Sequence, residues 1–144
     1  MKLLNSIGPN PKVVRMFLAE LGMSVDIEKV DLIKAENRGD VYVAKNASGT
    51  TPALELDDGT YLCEIIAICE YLDEVSDADS LIGNTAEERG ETRMWCRRID
   101  LNILETLTNG YRYSAGQALF KDRMRLIPQA ADDLKALAQE KITW

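Results

Sequence analysis

Apolar and polar positions alternate along this chain in two periods. Lys2-Leu3-Leu4-Asn5-Ser6 is a short apolar run that reads as a buried strand. Ile7-Gly8-Pro9-Asn10-Pro11 has the composition of a loop. Within it, Asn10 followed by Pro11 predicts a helix start, with Asn as N-cap and Pro at the first helical position. Val14, Phe17, Leu18 and Leu21 then form a helical stripe, which Gly22 ends. Val25, Ile27 and Val30 predict a second strand. A strand–helix–strand order favours a parallel pair joined by a right-handed crossover.

Residues 31–50 are polar and irregular, and predict a short helix and then a loop containing Asn46, Ser48 and Gly49. Pro52 cannot donate within a ladder, so it marks a strand entrance. Asp58-Gly59 between apolar runs predicts a two-residue hairpin turn of type I′, which needs φ > 0 at both central residues. Ile65, Ile68, Cys69 and Leu72 fall at i, i+3, i+4 and i+7, one face of a helix that begins at Glu64. Residues 76–84 read as a linker. Asn84 or Thr85 can cap the next helix, with Glu87 and Glu88 in its first turn. Cys96, Ile99, Ile103 and Leu107 make that helix's stripe, which runs to about Tyr113 before Gly116 breaks it. Ile127, Ala131, Leu134 and Ala138 share a face in a last helical region that Pro128 starts or kinks. The chain reaches Trp144 inside that expected helix.

Composition narrows the chemistry. A chain of 144 residues suffices for one domain, or one small domain and part of another. A net charge of −7 argues against nucleic acid and anionic membrane surfaces. No apolar run approaches the roughly 20 residues of a membrane helix, and the N-terminus has no signal-peptide apolar block. There is no histidine, and Cys63, Cys69 and Cys96 have no metal spacing. Zinc and any Ser-His or Cys-His pair are thereby disfavoured, and a reduced, cytoplasmic setting is expected.

The segments Asn46-Ala47-Ser48-Gly49-Thr50-Thr51-Pro52-Ala53-Leu54, Asp57-Asp58-Gly59 and Cys63-Glu64-Ile65-Ile66-Ala67-Ile68-Cys69-Glu70-Tyr71-Leu72 resemble, in order, the glutathione-binding half of the glutathione S-transferases. The resemblance implies an α/β fold: a thioredoxin-like N-terminal domain, residues 1–76, followed by a partial all-helical C-terminal domain, residues 84–144. In that family the helical domain usually continues further, so the chain reads as a truncated copy or a short variant.

The resemblance also implies a site. The chemistry is to lower the pKa of the glutathione thiol with a helix N-terminus and one hydrogen-bond donor. The family's usual serine position falls near Gly8, which has no hydroxyl; Ser6, which lies earlier near the strand end, and Asn10 are then the catalytic candidates. Asn10 resembles an asparagine placed near the sulfur in some bacterial members. Two roles stay open to it, N-cap alone or cap and sulfur donor. Thr51 and Pro52 resemble the residues before the third strand, where the family has a cis-proline and Thr51 would offer its backbone N–H and C=O to the cysteinyl part of glutathione. Glu64 and Ile65 occupy the family's Glu-Ser position, which holds the γ-glutamyl end; Ile65 loses a hydroxyl contact, and Glu64 can also serve simply as a helix-end charge. Lys34 and Lys45 are candidates for the glycine carboxylate, or solvated surface charges. Tyr111, Arg112 and Tyr113 lie where the family places its electrophile pocket. Cys63 beside the site is expected to be an inert, half-buried thiol.

The function implied is a cytoplasmic glutathione S-transferase that promotes thiolate attack on a small electrophile or disulfide, as in detoxification. Glutathione is then substrate, no cofactor is implied, and a homodimer is the family's usual assembly. The alternative is a non-catalytic, transferase-like binding or regulatory protein, to which Gly8 and Ile65 both point. A dithiol reductase is weaker, since no cysteine lies at the first helix start.

Overall fold

A computed structural model describes residues 1–143 and divides the chain into two units, Met1–Asn84 and a second from Thr85 onward. The expected helical setting of Trp144 lies outside the described residues. Among these residues no helix is long and apolar enough to cross a membrane.

The first unit is a four-stranded mixed sheet of order β2-β1-β3-β4 with helices packed against it. Strand β1 (Lys2–Asn5) pairs in parallel with β2 (Asp26–Lys29), Leu3 opposite Ile27. On its other side β1 pairs antiparallel with β3 (Ala53–Glu55), Leu4 opposite Ala53. Strand β3 pairs with β4 (Tyr61–Cys63), Ala53 opposite Cys63. This is the thioredoxin-like arrangement that the resemblance implies.

Successive residues of β1 face opposite sides of the sheet. Leu3 and Leu54 pack with Val14 and Leu18 of α1 (Pro9–Glu20) and with Ile68, Cys69 and Leu72 of α3 (Ile65–Val75). Leu4 and Ala53 pack on the other side with Val30 and Tyr42, the latter from α2 (Asp40–Val43). The second expected strand is an edge strand: Ile27 is exposed, and Val30, just beyond it, is the buried member.

Three local expectations are corrected. Helix α1 starts at Pro9, with Gly8 as N-cap, so Asn10 is its second residue and not its cap. Pro9 already carries the φ that a first helical residue needs, which moves the start two residues earlier. The hairpin does not use a two-residue type I′ turn. Gly59 N–H donates to Leu56 C=O at 3.0 Å, and Leu56 N–H to Thr60 C=O at 2.9 Å. The loop is therefore Asp57-Asp58-Gly59, in which only Gly59 has positive φ, 83°. The Asp58 carboxylate accepts from Thr60 N–H at 2.9 Å and from its hydroxyl at 2.6 Å, which holds this longer turn. Residues 76–84 are not a free linker. The buried Asp73 carboxylate accepts from Ser80 Oγ at 2.6 Å and from Leu81 N–H at 2.7 Å, and Ile82 is buried.

In the second unit Thr85 caps α4 (Ala86–Ile99) with a reciprocal capping box to Glu88. The expected single helix continues through a π-helical segment, Asp100–Leu104, into α5 (Glu105–Arg112). The stripe expected on it is not buried: Ile99 and Leu107 are exposed and α4 contains no buried residue. A short helix α6 (Gln117–Phe120) follows Gly116. Pro128 begins a 3₁₀ turn, after which α7 (Ala131–Lys141) buries Ala131 and Ala138.

Candidate functional site

Strand pairing brings one set of chain segments to a single edge of the sheet. Asn5 ends β1, Ala53 begins β3 and Cys63 ends β4, and these strands are neighbours in that register. The segments just beyond them, Ser6–Gly8, Thr51-Pro52 and Glu64-Ile65, therefore lie along the same edge. Helices α1 and α3 both start there, each following the strand that feeds it.

The two helix starts differ in what they offer. The four leading N–H groups of a helix have no intrahelical acceptor. At α1 the Gly8 N–H points to Ser6 Oγ at 3.4 Å, and Pro9 and Pro11 have no N–H. Asn10 is thus the one residue of this first turn with a spare peptide donor, and its exposed side-chain amide makes no hydrogen bond among the described residues. At α3, intrahelical bonding begins with Ile68 N–H on Glu64 C=O at 3.0 Å. The N–H groups of Ile65, Ile66 and Ala67 precede it, enough for a carboxylate.

Glu64 is the N-cap of α3, at φ 74° and ψ 129°, a left-handed conformation that a side chain adopts at a cost. Its carboxylate is exposed and does not cap the helix. Ile65 presents no polar atom: its side chain packs against the core cluster under α1 and α3. Ser6 is 3% exposed, and its Oγ lies 2.7 Å from Thr51 Oγ1. The pair ties the loop after β1 to the loop before β3. The Thr51–Pro52 peptide is cis, as expected, and both residues are buried.

Other candidates make local contacts of their own. Lys34 is exposed and its ammonium is 3.9 Å from Asp31. Lys45 pairs with Glu28 at 3.5 Å and sits 5.9 Å over the Tyr61 ring. In the second unit, Arg112 bonds Asn109 at 3.0 Å and lies 5.6 Å over Phe120, while Tyr111 is exposed. The Cys63 thiol is pushed above its ordinary pKa, first by burial and then by the Glu64 carboxylate. Thiolate is disfavoured there, in keeping with an inert cysteine.

Sequence reasoning missed the residues that hold the 46–51 loop. Tyr42 Oη donates to Thr50 C=O at 2.6 Å, and Asn46 Nδ2 donates to the same carbonyl at 2.9 Å. Asn37 Nδ2 donates to Gly49 C=O. Burial pushes the Tyr42 phenol up to about 12, so it stays a donor throughout the physiological range. The available signal was Asn46 two residues before Ser48, an Asx-type pairing that the structure forms with Ser48 N–H at 3.1 Å. Asp73 was also missed. It lies four residues after Cys69, so an acid on an apolar helical stripe was its signature.

Comparison with known proteins agrees with this geometry. Residues 7–75 match the family described as glutathione S-transferase, N-terminal domain. The chain is 42% identical over 103 residues to glutathione S-transferase 2 of Saccharomyces cerevisiae, covering 70% of this chain and 44% of that protein. It is 36% identical over 114 residues to glutathione S-transferase GstA of Escherichia coli O157:H7, covering 78% and 57%. The chain thus spans about half the length of these curated relatives. A crystal structure of a glutathione S-transferase domain-containing protein from Marinobacter aquaeolei superposes with a TM-score of 0.91 at 34% identity, covering 99% of this chain and 71% of that one. On the sheet topology, the paired helix starts at one sheet edge and these matches, the chain belongs to the glutathione S-transferase family.

Proposed function

We propose that this chain binds reduced glutathione along the sheet edge between α1 and α3 and promotes attack of its thiolate on a small electrophile or disulfide. The observation that carries this reading is the convergence of two helix N-termini with unequal donor sets. The three free N–H groups of α3 suit a carboxylate, and Glu64 beside them suits the ammonium of the same γ-glutamyl group. The first turn of α1, with one peptide donor and one amide on Asn10, suits a single sulfur. The positive end of the α1 dipole adds to that preference for thiolate. Thr51, between the two, would take the cysteinyl backbone. By extension from the family, the electrophile would meet the sulfur at the open side of this edge, in a cytoplasmic homodimer.

Calorimetric titration of reduced glutathione tests the reading, with the protein's mass in solution measured in parallel for the dimer. A Kd between micromolar and low millimolar, about −8 to −4 kcal/mol, is expected. Absence of binding by the folded chain overturns it. Glu64→Ala should weaken binding at least tenfold, since a hydrogen bond to a charged group is worth roughly 1.5–3 kcal/mol. Unchanged affinity would make Glu64 a helix-end charge only.

A second reading is favoured by one observation. Gly8 and the core-packed Ile65 remove both hydroxyls that the family commonly uses. A protein that binds glutathione without turnover, as a regulatory module, fits that loss. Binding with no transfer to any of a panel of aryl halides, epoxides and disulfides would select it.

A further inference from the structure

We propose that Tyr42 and Asn46 are positioning residues that aim the Thr51 N–H at bound glutathione. The inference rests on the glutathione reading above and adds what sets its geometry. Thr50 C=O receives two donors, Tyr42 Oη at 2.6 Å and Asn46 Nδ2 at 2.9 Å. Both side chains are buried, at 5% exposure each. The Thr50–Thr51 peptide is trans. In a planar trans peptide the C=O and the N–H point in opposite directions. Two donors fixed on the carbonyl therefore fix the direction of the Thr51 N–H, away from α2. That N–H makes no hydrogen bond among the described residues, so its donor capacity is free for a ligand.

The loop is held on both sides of this peptide. Asn37 Nδ2 donates to Gly49 C=O one residue earlier. Asn46 Oδ1 accepts from Ser48 N–H at 3.1 Å and from Ser48 Oγ at 2.8 Å, which locks the Asn46 amide in the orientation that donates to Thr50. On the far side, Ser6 Oγ holds Thr51 Oγ1 at 2.7 Å. Residues 36–46 contribute only Tyr42 to the buried apolar core. Their polar side chains instead converge on the carbonyls of Gly49 and Thr50. A segment spent in this way stabilises one peptide orientation more than it stabilises the sheet.

The test compares wild type with Tyr42→Phe, which keeps the ring and its packing and deletes the donor. Reduced glutathione and S-methylglutathione are titrated into each by calorimetry, with thermal unfolding followed alongside. Loss of one neutral hydrogen bond's worth of preorganisation should weaken both ligands equally, by about fivefold to tenfold. Equal weakening locates the defect at the peptide backbone, because S-methylglutathione has no thiol to ionise. In amide NMR spectra, the downfield shift of the Thr51 proton on saturation should be smaller in the variant than in wild type. Unchanged affinity in Tyr42→Phe, with or without a fall in Tm, overturns the positioning role and leaves packing alone. Weakening confined to the thiol-bearing ligand also overturns it. Failure of wild type to bind either ligand overturns the glutathione reading itself, and this role with it.

Discussion

Two prolines leave the first turn of α1 with one spare peptide donor, and that donor belongs to Asn10. The side chain of the same residue is exposed and adjacent, so backbone and amide can be separated by mutation. Asn10→Ala keeps the N–H and removes the amide. If the amide donates to sulfur, the bound thiol pKa should rise by about one to two units, read from thiolate absorbance against pH. A fall in Tm with an unchanged thiol pKa would leave Asn10 without a role at sulfur. The reverse change is open at Gly8, whose φ is −69° and where an added Cβ meets nothing nearer than 3.7 Å. Gly8→Ser should therefore fold unstrained and supply the missing hydroxyl, raising thiol-transfer rate by about tenfold. No gain would mean that the hydroxyl cannot reach the sulfur. Cys63 offers a residue-scale test of the electrostatics at this edge. Its raised pKa lowers the thiolate fraction at neutral pH, so modification by iodoacetamide, mapped by peptide mass, should be slower than for a free thiol. Glu64→Gln removes the second cause of the shift, moves the pKa downward and should quicken the reaction near pH 8. An unchanged rate would leave burial as the whole cause. Much of this was legible in the residue types. Pro52, Glu64 and the stripes of α1 and α3 sit where the sequence reading puts them. The cap assignment was not legible, because Gly8-Pro9-Asn10-Pro11 offers two prolines for the first helical position and local composition favours the wrong one.

Elements were read more reliably where period carried the information. The stripe of α3 and the parallel pairing of the first two strands follow from apolar spacing and element order, and both are observed, while the rest of the sheet came with the family resemblance. Residues 31–50 have no period, and there the sequence reading located neither Tyr42 nor Asn37. Their value lies in hydrogen bonds to carbonyls 8 and 12 residues away, which no spacing rule encodes. The connector after α3 failed for a related reason. Its composition is that of a linker, yet it is anchored by one buried carboxylate. Asp73 holds Ser80 Oγ, which in turn accepts from Gly83 N–H at 2.9 Å, and holds Leu81 N–H directly. Asp73→Ala strands these donors and exposes Ile82. It should cost about 2–4 kcal/mol in urea unfolding, because hydrogen bonds to a charged acceptor are individually worth roughly 1.5–3 kcal/mol. The same variant should be cut by chymotrypsin at Leu81 much faster than wild type. Loss of stability below about 0.5 kcal/mol would show the anchor to be incidental, since ordinary surface substitutions fall in that range.

At the scale of the whole molecule, the two units bury very different cores. The first encloses Leu3, Leu4, Val14, Leu54, Ile68 and Leu72 completely or nearly so. In the second, the described residues buried to the same class are small: Gly110, Gly116, Ala131 and Ala138. Helices α5 and α7 meet through Gly110, where a Cβ would lie 3.1 Å from Ala131 C=O. Close backbone approach gives good contact but removes little apolar surface from water, and fully burying a large aliphatic side chain is worth roughly 1.5–3 kcal/mol that an alanine cannot supply. Trp95, Ile99, Leu101, Leu104, Leu107 and Leu137 stay exposed. The second unit should therefore be the less stable. Both tryptophans, Trp95 and Trp144, follow Asn84 in the sequence, so indole emission reports on the second unit. Far-UV circular dichroism reports on both. In urea the indole transition should come first and the remaining dichroism transition later. Glutathione at ten times its Kd should add about 1.4 kcal/mol to the unit that binds it, through mass action alone. The later transition should move to higher urea by that amount and the indole transition should stay where it is. A single transition by both probes, shifted as one by glutathione, would show instead that the units unfold as one cooperative body and that burial within each does not set their stability separately.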